Sequence, residues 1–515
     1  MEQRLGPLAA LKGAILMTGS SYVTYTIGLL AGALIARHLA PDDYGRYAYV
    51  VWLSGILVMA GNNGLPTTGI RFVAEALGLG QPGLARTVRA WLYRRQAVSL
   101  LTLLAIFVAA SPWFMPAGWN GPAWIFIAVV LIGTATKALY LLEISVAKGY
   151  GKFSVEATTS VAAALLNVFL VVLLYLLDAP LNDYLAMFAG ICMAHLAIAA
   201  WLSRRGHAAI VEAGMEPEFN ARLRKHLAWT VVLTVVAAFG GTSVAIYLLN
   251  LLVGSAEVGY FVIATALSRG AIDLVASGLT SVLMPVMGHA FGSGGRERVG
   301  AILCDSLRYL QFLGLLAAGL GCFWAEAVVI LLYGEAYQPA VSILRWLLLA
   351  AGITLGESAF GALLSTTDNQ RLRTAFAASY LIVSLLAAGV LIPLYGLSGA
   401  VVACVASRLL LYGIGLAVVV RMMAIRLPWQ ALGKTVMASL AATAVAWPAS
   451  AAIGDAAGGL VAGAVYAFVL LVASRYFGVW KEKDLRMVAA LGAQHPRLFG
   501  WSRTYLDRWL AAFQR

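Results

Sequence analysis

Charge is what this chain has least of. Asp, Glu, Lys and Arg make up 11% of its 515 residues, while 61% are hydrophobic and the mean hydropathy is +0.85. A soluble domain carries about 25% charged residues, and a water-exposed fold of this length keeps a wide polar exterior. Lipid must therefore cover the outside. Cysteine is scarce as well: Cys192, Cys304, Cys322 and Cys404 stand singly in or beside apolar segments, none at CxxC spacing. That pattern indicates neither a metal knuckle nor a disulfide framework. GxxxxGKS/T, HExxH and GxSxG are all missing, which argues against ATP hydrolysis, zinc proteolysis and serine esterase chemistry, and no metal or cofactor is expected. The GxGxxG-like glycines lie inside apolar runs, where they permit close helix packing.

What is present is a series of long apolar windows, at 14–36, 46–66, 97–115, 123–145, 155–177, 184–202, 228–252, 258–284, 304–324, 341–363, 374–394, 398–420, 431–452 and 457–477. Each is about the twenty residues that span roughly 30 Å of hydrocarbon. Runs this continuous exclude the alternating strands of a membrane barrel, leaving helices. The expected fold is an all-α polytopic membrane protein of fourteen transmembrane helices. The first window, preceded by Arg4 and Lys12, is too long for a cleavable leader and reads as a retained helix.

Loops after even-numbered windows carry the cations, among them Arg71, Arg86, Arg89, Arg94, Arg95, Lys148, Lys152, Arg222, Arg224, Arg296, Arg308, Arg371 and Arg373. With both termini on that side, only Arg37, Arg46, Lys137, Arg269, Arg345 and Arg408 of the 36 Lys and Arg fall elsewhere. Loops after odd-numbered windows hold Asp42, Asp43, Asp178, Asp183, Glu257, Glu326, Glu335 and Asp455 instead. Lys and Arg are retained in the cytoplasm, so both termini are expected there, in a bacterial inner membrane. The net charge of +13 thus reads as an orientation signal and not as a nucleic-acid footprint.

The chain also repeats itself. LAPDDYGRYAYVVWLS at 39–54 matches VGSAEVGYFVIATALS at 253–268, pairing Gly45 with Gly259 and Ser54 with Ser268, 214 residues on; the same spacing pairs Gly64-Leu65 with Gly278-Leu279 and Gly80 with Gly294. Six windows separate the copies, so both enter the membrane in the same direction, which predicts a pseudo-twofold axis along the membrane normal. The run GNNG at 61–64 followed by Pro66 marks a candidate helix break.

IARHLAPDDYGRYAYV at 35–50, GLPTTGIRFVAE at 64–75, VGYFVIATALSR at 258–269 with Pro285 downstream, LLYGEAYQPAVSILRWL at 331–347 and LIPLYGLSGAVVAC at 391–404 together resemble the polysaccharide transporter family of the multidrug/oligosaccharidyl-lipid/polysaccharide (MOP) exporter superfamily. The resemblance covers most of 10–425. It implies two six-helix lobes around a central cavity, taken here as 1–210 and 211–427, with helices 13 and 14 in 428–480 and a tail over 481–515. It further implies a flippase for undecaprenyl-diphosphate-linked oligosaccharides, working without covalent chemistry, with membrane lipids, a polysaccharide polymerase and other assembly proteins as partners.

A diphosphate headgroup needs a polar, preferably cationic passage, and Arg suits phosphate because its planar fork donates paired bonds. A charge in mid-span costs about 2.5–3.5 kcal/mol on insertion scales, so it faces the bundle interior. The cavity candidates are Arg269, Arg408, Lys137 and Arg37; the ion-coupling candidates are Asp273, Glu357 and Glu143. Arg269 and Asp273, four residues apart, share a helical face, as a cavity cation with its partner or as a permanent structural pair. Arg408 has no acid within a turn. Lys137 and Glu143, six apart, do not face each other. Arg37 and His38 end the first window, where snorkelling to the interface is the plainer reading; Arg46 with Asp42 and Asp43 reads as structural. Glu357 serves as an ion site or as a neutral hydrogen-bonded acid. His195 reads as packed, the alternative being a proton relay, and Asn62, Asn63, Asn167 and Asn250 as polar links between helices. In the tail, Trp501, Tyr505, Leu506, Trp509, Leu510 and Phe513 with Arg503 and Arg508 outline an interfacial helix or a loose tail.

Two rival readings share these features. A polysaccharide polymerase or ligase would carry a large outer loop with catalytic residues, and the outer loops here are short. A cation-coupled drug exporter would have the same architecture, but intramembrane arginines suit an anionic headgroup better.

Overall fold

The structure, a computed structural model, describes residues 7–204, 214–239, 242–366, 370–453, 456–480 and 484. The proposed tail helix lies outside the described residues. No strand occurs among the described residues, as expected where the solvent is hydrocarbon and each backbone group must be satisfied within its own segment. Nine described helices are long and apolar enough to cross a membrane. Two of them, Tyr22–Asn62 and Thr374–Met423, run for 41 and 50 residues, long enough for two passes each.

The first compact unit comprises 1–270, 329–347 and 370–411. Helix α1 (Pro7–Asn62) is broken at Ala40 (φ 58°, ψ 171°), immediately before Pro41. Proline removes an amide donor and disfavours helical geometry at the residue before it, so windows one and two meet in a sharp corner. The expected break at GNNG is present: Asn63 (φ 44°) and Gly64 (φ 73°) turn left-handed, and Pro66 opens α2 (Leu65–Gly78). A side chain at Gly64 would strain the backbone and collide with Thr230. Beyond α3 (Pro82–Ala110), α4 (Ala123–Gly149), α5 (Phe153–Leu176) and α6 (Leu181–Arg204) follow as single helices close to the expected boundaries. The core under α2 to α4 is built from Leu65, Phe72, Val88, Leu92 and Leu142, and Phe219, Leu223 and Leu227 of α7 (Pro217–Phe239) complete it.

Windows seven, eight and ten differ from expectation in being broken. Window seven divides into α7 and α8 (Ser243–Leu252). Window eight is α9 (Ser255–Ser268), a π-helical turn at Arg269–Asp273, and the start of α10 (Leu274–Tyr333). The Tyr25 hydroxyl donates to the Ala266 carbonyl at 2.9 Å, entering the i→i−4 ladder at the turn where it widens. Window ten splits at Thr354–Gly356 between α11 (Pro339–Ile353) and α12 (Glu357–Thr366). There the Thr354 hydroxyl bonds back to the Ala350 carbonyl at 2.9 Å, a contact that bends helices.

The repeat is visible in three dimensions. Pro41 and Ser255 occupy matching positions, as do Gly45 and Gly259. A Cβ on Gly45 would overlap the Ser255 carbonyl, and one on Gly259 would lie 3.0 Å from the Pro41 carbonyl and 3.4 Å from the Gly45 Cα. The two copies of the segment therefore cross glycine to glycine, each touching the other through the same pair of positions. Ser255 adds a hydrogen bond to Asp42 at 3.0 Å.

The second unit comprises 271–328, 348–369 and 412–515. Here α14 (Trp429–Ile453) offers Ala438, Ala442 and Ala446, one per turn, to Tyr466 and Leu470 of α15 (Ala456–Tyr476) and to Phe312. Small residues at this spacing let backbones approach where no hydrophobic force drives association. At the basic end, buried Arg308 bonds Asp484 at 2.6 Å, Asp305 at 3.1 Å and the Val479 carbonyl at 3.3 Å.

Replacing Gly45 by Ala forces the crossing apart and is expected to lower stability by about 1–3 kcal/mol, the usual cost of overpacking. Gly28, with nothing within 4 Å of an added Cβ, should accept Ala without loss. Thermal unfolding of the two variants in detergent checks the contrast; equal midpoints would show that the crossing is not tight.

Candidate functional site

At the acidic end of the first unit, α1 and α10 are joined by an arginine. Arg37 donates to the carbonyls of Leu332 at 2.9 Å, Ile330 at 3.3 Å and Leu331. These belong to the last turn of α10, at the negative end of its dipole; the Ile330 carbonyl also accepts from the Gly334 amide at 2.9 Å. Alongside, the Tyr337 hydroxyl donates to the Ala36 carbonyl at 2.7 Å. Asn250, which stands 214 residues after Ala36, accepts from the Ala117 amide at 2.8 Å and donates to the Met115 carbonyl at 3.2 Å. In both copies the end of the first repeat helix is thus tied to a turn of the other copy. Arg46 pairs with Asp43 at 2.7 Å and donates to Ala117 at 3.2 Å, the structural arrangement expected of it. His38 contacts the Ala179 carbonyl at 3.0 Å.

The other expected site residues are spread along the unit. Lys137, halfway along α4, is half-buried and sets its ammonium 4.7 Å above the Tyr140 ring. His195 of α6 approaches the same ring edge-on at 4.9 Å and bonds the Ile191 carbonyl at 2.8 Å through Nδ1. Tyr140 in turn shares a hydrogen bond with Ser160 at 3.2 Å. No carboxylate touches Lys137 among the described residues; a cation held over an aromatic face is attracted by the ring quadrupole. Arg408 is half-buried in α13 (Gln370–Met423), one turn beyond Cys404. Arg269 opens the π turn with its side chain exposed. The Asp273 side chain lies outside the described residues.

Two carboxylates expected to act in ion coupling have defined places. Glu143 is buried, 3.5 Å from Arg89 of α3; sequence spacing gave no sign of this partner, because it comes from another helix. Glu357 is exposed and begins α12, after the break and not in the middle of a continuous helix with Arg345. At the basic end of α4, Lys152 donates to the Ser203 carbonyl at 3.4 Å. Burial, and secondly Arg89, holds its ammonium below the ordinary lysine range, with Glu143 acting in the opposite sense.

No protein-family model and no curated protein sequence matches this chain. Among solved structures it is similar to the lipid II flippase MurJ in an inward closed conformation, at 14% identity and a TM-score of 0.70, covering 90% of this chain and 98% of that one. It is also similar to an inward-facing multidrug resistance MATE family transporter of the MOP superfamily, at 16% identity and 0.66, covering 78% and 94%. The Vibrio cholerae MATE transporter VcmN follows at 14% identity and 0.56, covering 81% and 96%. This is therefore a multi-pass, all-α membrane protein with the fold of MOP-superfamily transporters and flippases.

Cysteines at 42 and 255, placed in a background with the four native cysteines changed to Ser, are expected to crosslink on oxidation in membranes. Adding Arg37→Ala should slow that reaction severalfold by releasing α1 from α10. An unchanged rate would mean that Arg37 does not hold the acidic-end contact.

Proposed function

We propose that this protein is an alternating-access flippase that moves an undecaprenyl-diphosphate-linked oligosaccharide, a repeat unit of lipopolysaccharide or exopolysaccharide, from the cytoplasmic to the periplasmic leaflet. The lobes would be 1–210 and 211–427, with the basic end and both termini cytoplasmic. The observation that carries this reading is Lys137: a cation in mid-helix, held by an aromatic ring and, among the described residues, by no carboxylate. A charge retained there at about 2.5–3.5 kcal/mol of insertion cost is available to an anionic group in a way that an ion-paired cation is not. Arg269 and Arg408 are further cationic positions for the diphosphate, and Asp273 and Glu357 remain candidates for ion coupling. Glu143, already beside Arg89, is better suited to bracing α4 against α3.

The likeness to the lipid II flippase MurJ supports a lipid-linked substrate. It extends over 90% of this chain, compared with 78% and 81% for the two MATE transporters. A cation-coupled drug exporter is the second reading, favoured by those same MATE likenesses; an uncompensated Lys137 would repel a cationic drug. A polymerase and other assembly proteins are the partners such a flippase would serve.

In a bacterium lacking the native gene, Lys137→Met and Arg408→Met variants should insert normally yet reduce surface glycan at least tenfold, whereas Lys137→Arg retains most export. Electrophoresis of surface glycan with parallel membrane quantification is the check. Wild-type glycan in both Met variants would rule out the cationic passage.

A further inference from the structure

Window seven opens the second of the two expected lobes, yet its first half is packed into the core of the first. Phe219, Leu223 and Leu227 recur along one face of α7 and sit under α2 to α4. Thr230 lies against the backbone break at Gly64. Two polar contacts run beside this ridge: Arg222 donates to Glu75 at 2.7 Å, and Arg71 stands 3.2 Å from Nδ1 of His226. On each helix the two partners are four residues apart, so they share a face, and the order of the pairs makes α2 and α7 antiparallel. The His226 ring also meets Phe72 at 5.6 Å, and Phe72 meets Phe219 edge-on at 5.4 Å.

The two polar contacts are chemically unlike. Glu75 gives Arg222 a full counterion, whereas His226 gives Arg71 only a lone pair. A guanidinium cannot accept a hydrogen bond, so Nδ1 must, and the imidazole is neutral with its proton on Nε2. That Nε2 is sealed and has no partner among the described residues, which weakens the contact. A carboxylate or an apolar side chain would hold α2 more firmly. Histidine adds a different property: a proton on Nδ1 removes the acceptor and sets a second cation against Arg71. Arg71 is exposed, so water reaches this contact. Burial, and secondly Arg71, holds the imidazole below the ordinary histidine range. The other charges nearby do not offset this. Glu75 faces it from α2 but is bonded to Arg222, and Arg222 and Lys225 flank it on α7. Of the other elements on α7, α1 has no titratable side chain between Val51 and Asn62, and Arg89 of α3 is paired with Glu143 of α4.

We propose that the α2–α7 contact is a catch at the basic end of the protein and that protonation of His226 releases it. This rests on the alternating-access part of the flippase reading and not on its cargo: lobes at 1–210 and 211–427 that part at the basic end have to let go of α7. Alternating conformers lie close in free energy, so a single titration shifts their ratio measurably. The closed contact requires neutral His226. Closure is therefore complete above the free-histidine pKa of about 6.5 and weakens as pH falls through it, by at most about tenfold in the open-to-closed ratio per pH unit. With the basic end cytoplasmic, the catch responds to acidification of the cytoplasm.

The test places spin labels on the full chain in lipid nanodiscs through Leu79→Cys and Glu218→Cys, at the exposed ends of α2 and α7, with the four native cysteines changed to Ser. Pulsed electron resonance should give one short distance at about pH 7.5 and a longer population that grows severalfold by about pH 5.5. His226→Gln, which still accepts from Arg71 but does not titrate, should stay short at both pH values. His226→Lys, a permanent cation beside Arg71, should show the longer population at both. A pH response that survives in His226→Gln belongs to another group and overturns the proposal. So does a wild-type distance that ignores pH while His226→Lys lengthens it, and in that case alternating access still stands. A distance that stays short in every variant overturns the proposal as well. The cargo reading is decided separately, by glycan export through the Lys137 variants.

Discussion

The helix endings in this fold answer to one constraint: a backbone amide or carbonyl released where a membrane helix ends or bends finds a partner within the protein. At the acidic end that partner is a side chain from a distant segment. The last carbonyls of α10 receive Arg37, and the carbonyl of Ala36, just ahead of the corner at Ala40, receives Tyr337. Met115 and Ala117, in the non-helical turn after α3, receive Asn250. Hence the residues that terminate helices also fasten one repeat copy to the other, and helix endings and tertiary contacts are one set of bonds.

That coupling explains what could and could not be read from the sequence. Window positions were legible because apolar length alone decides whether a segment crosses, and α4, α5 and α6 match their windows closely. The break at Asn63-Gly64 was legible because left-handed backbone and Pro66 leave a local signature. The π turn was not, since its cause is the hydroxyl of Tyr25, far away in the chain. The Arg89 partner of Glu143 was hidden for the same reason, and so was the interruption at Thr354–Gly356, where a threonine ordinarily tolerated in a helix bends it.

The candidate site was legible in kind more than in place. Counting intramembrane charges singled out Lys137, but not the Tyr140 ring beneath it or the His195 imidazole beside it. The same count also singled out Arg37, whose bonds turn out to be with helix-end carbonyls. Tyrosines drew no notice in the sequence, because 21 of them scattered over many windows carry no spacing. Only folding sets the rings of Tyr44, Tyr260 and Tyr333 around Tyr337.

The crossing of Pro41 and Gly45 with Ser255 and Gly259 has the pattern of an isologous interface, in which position i of one copy meets position j of the other and j meets i. Such a surface is complementary to itself. The single chain thus holds, between its two copies of the segment, the reciprocal pattern of contacts that two identical segments make about a twofold axis.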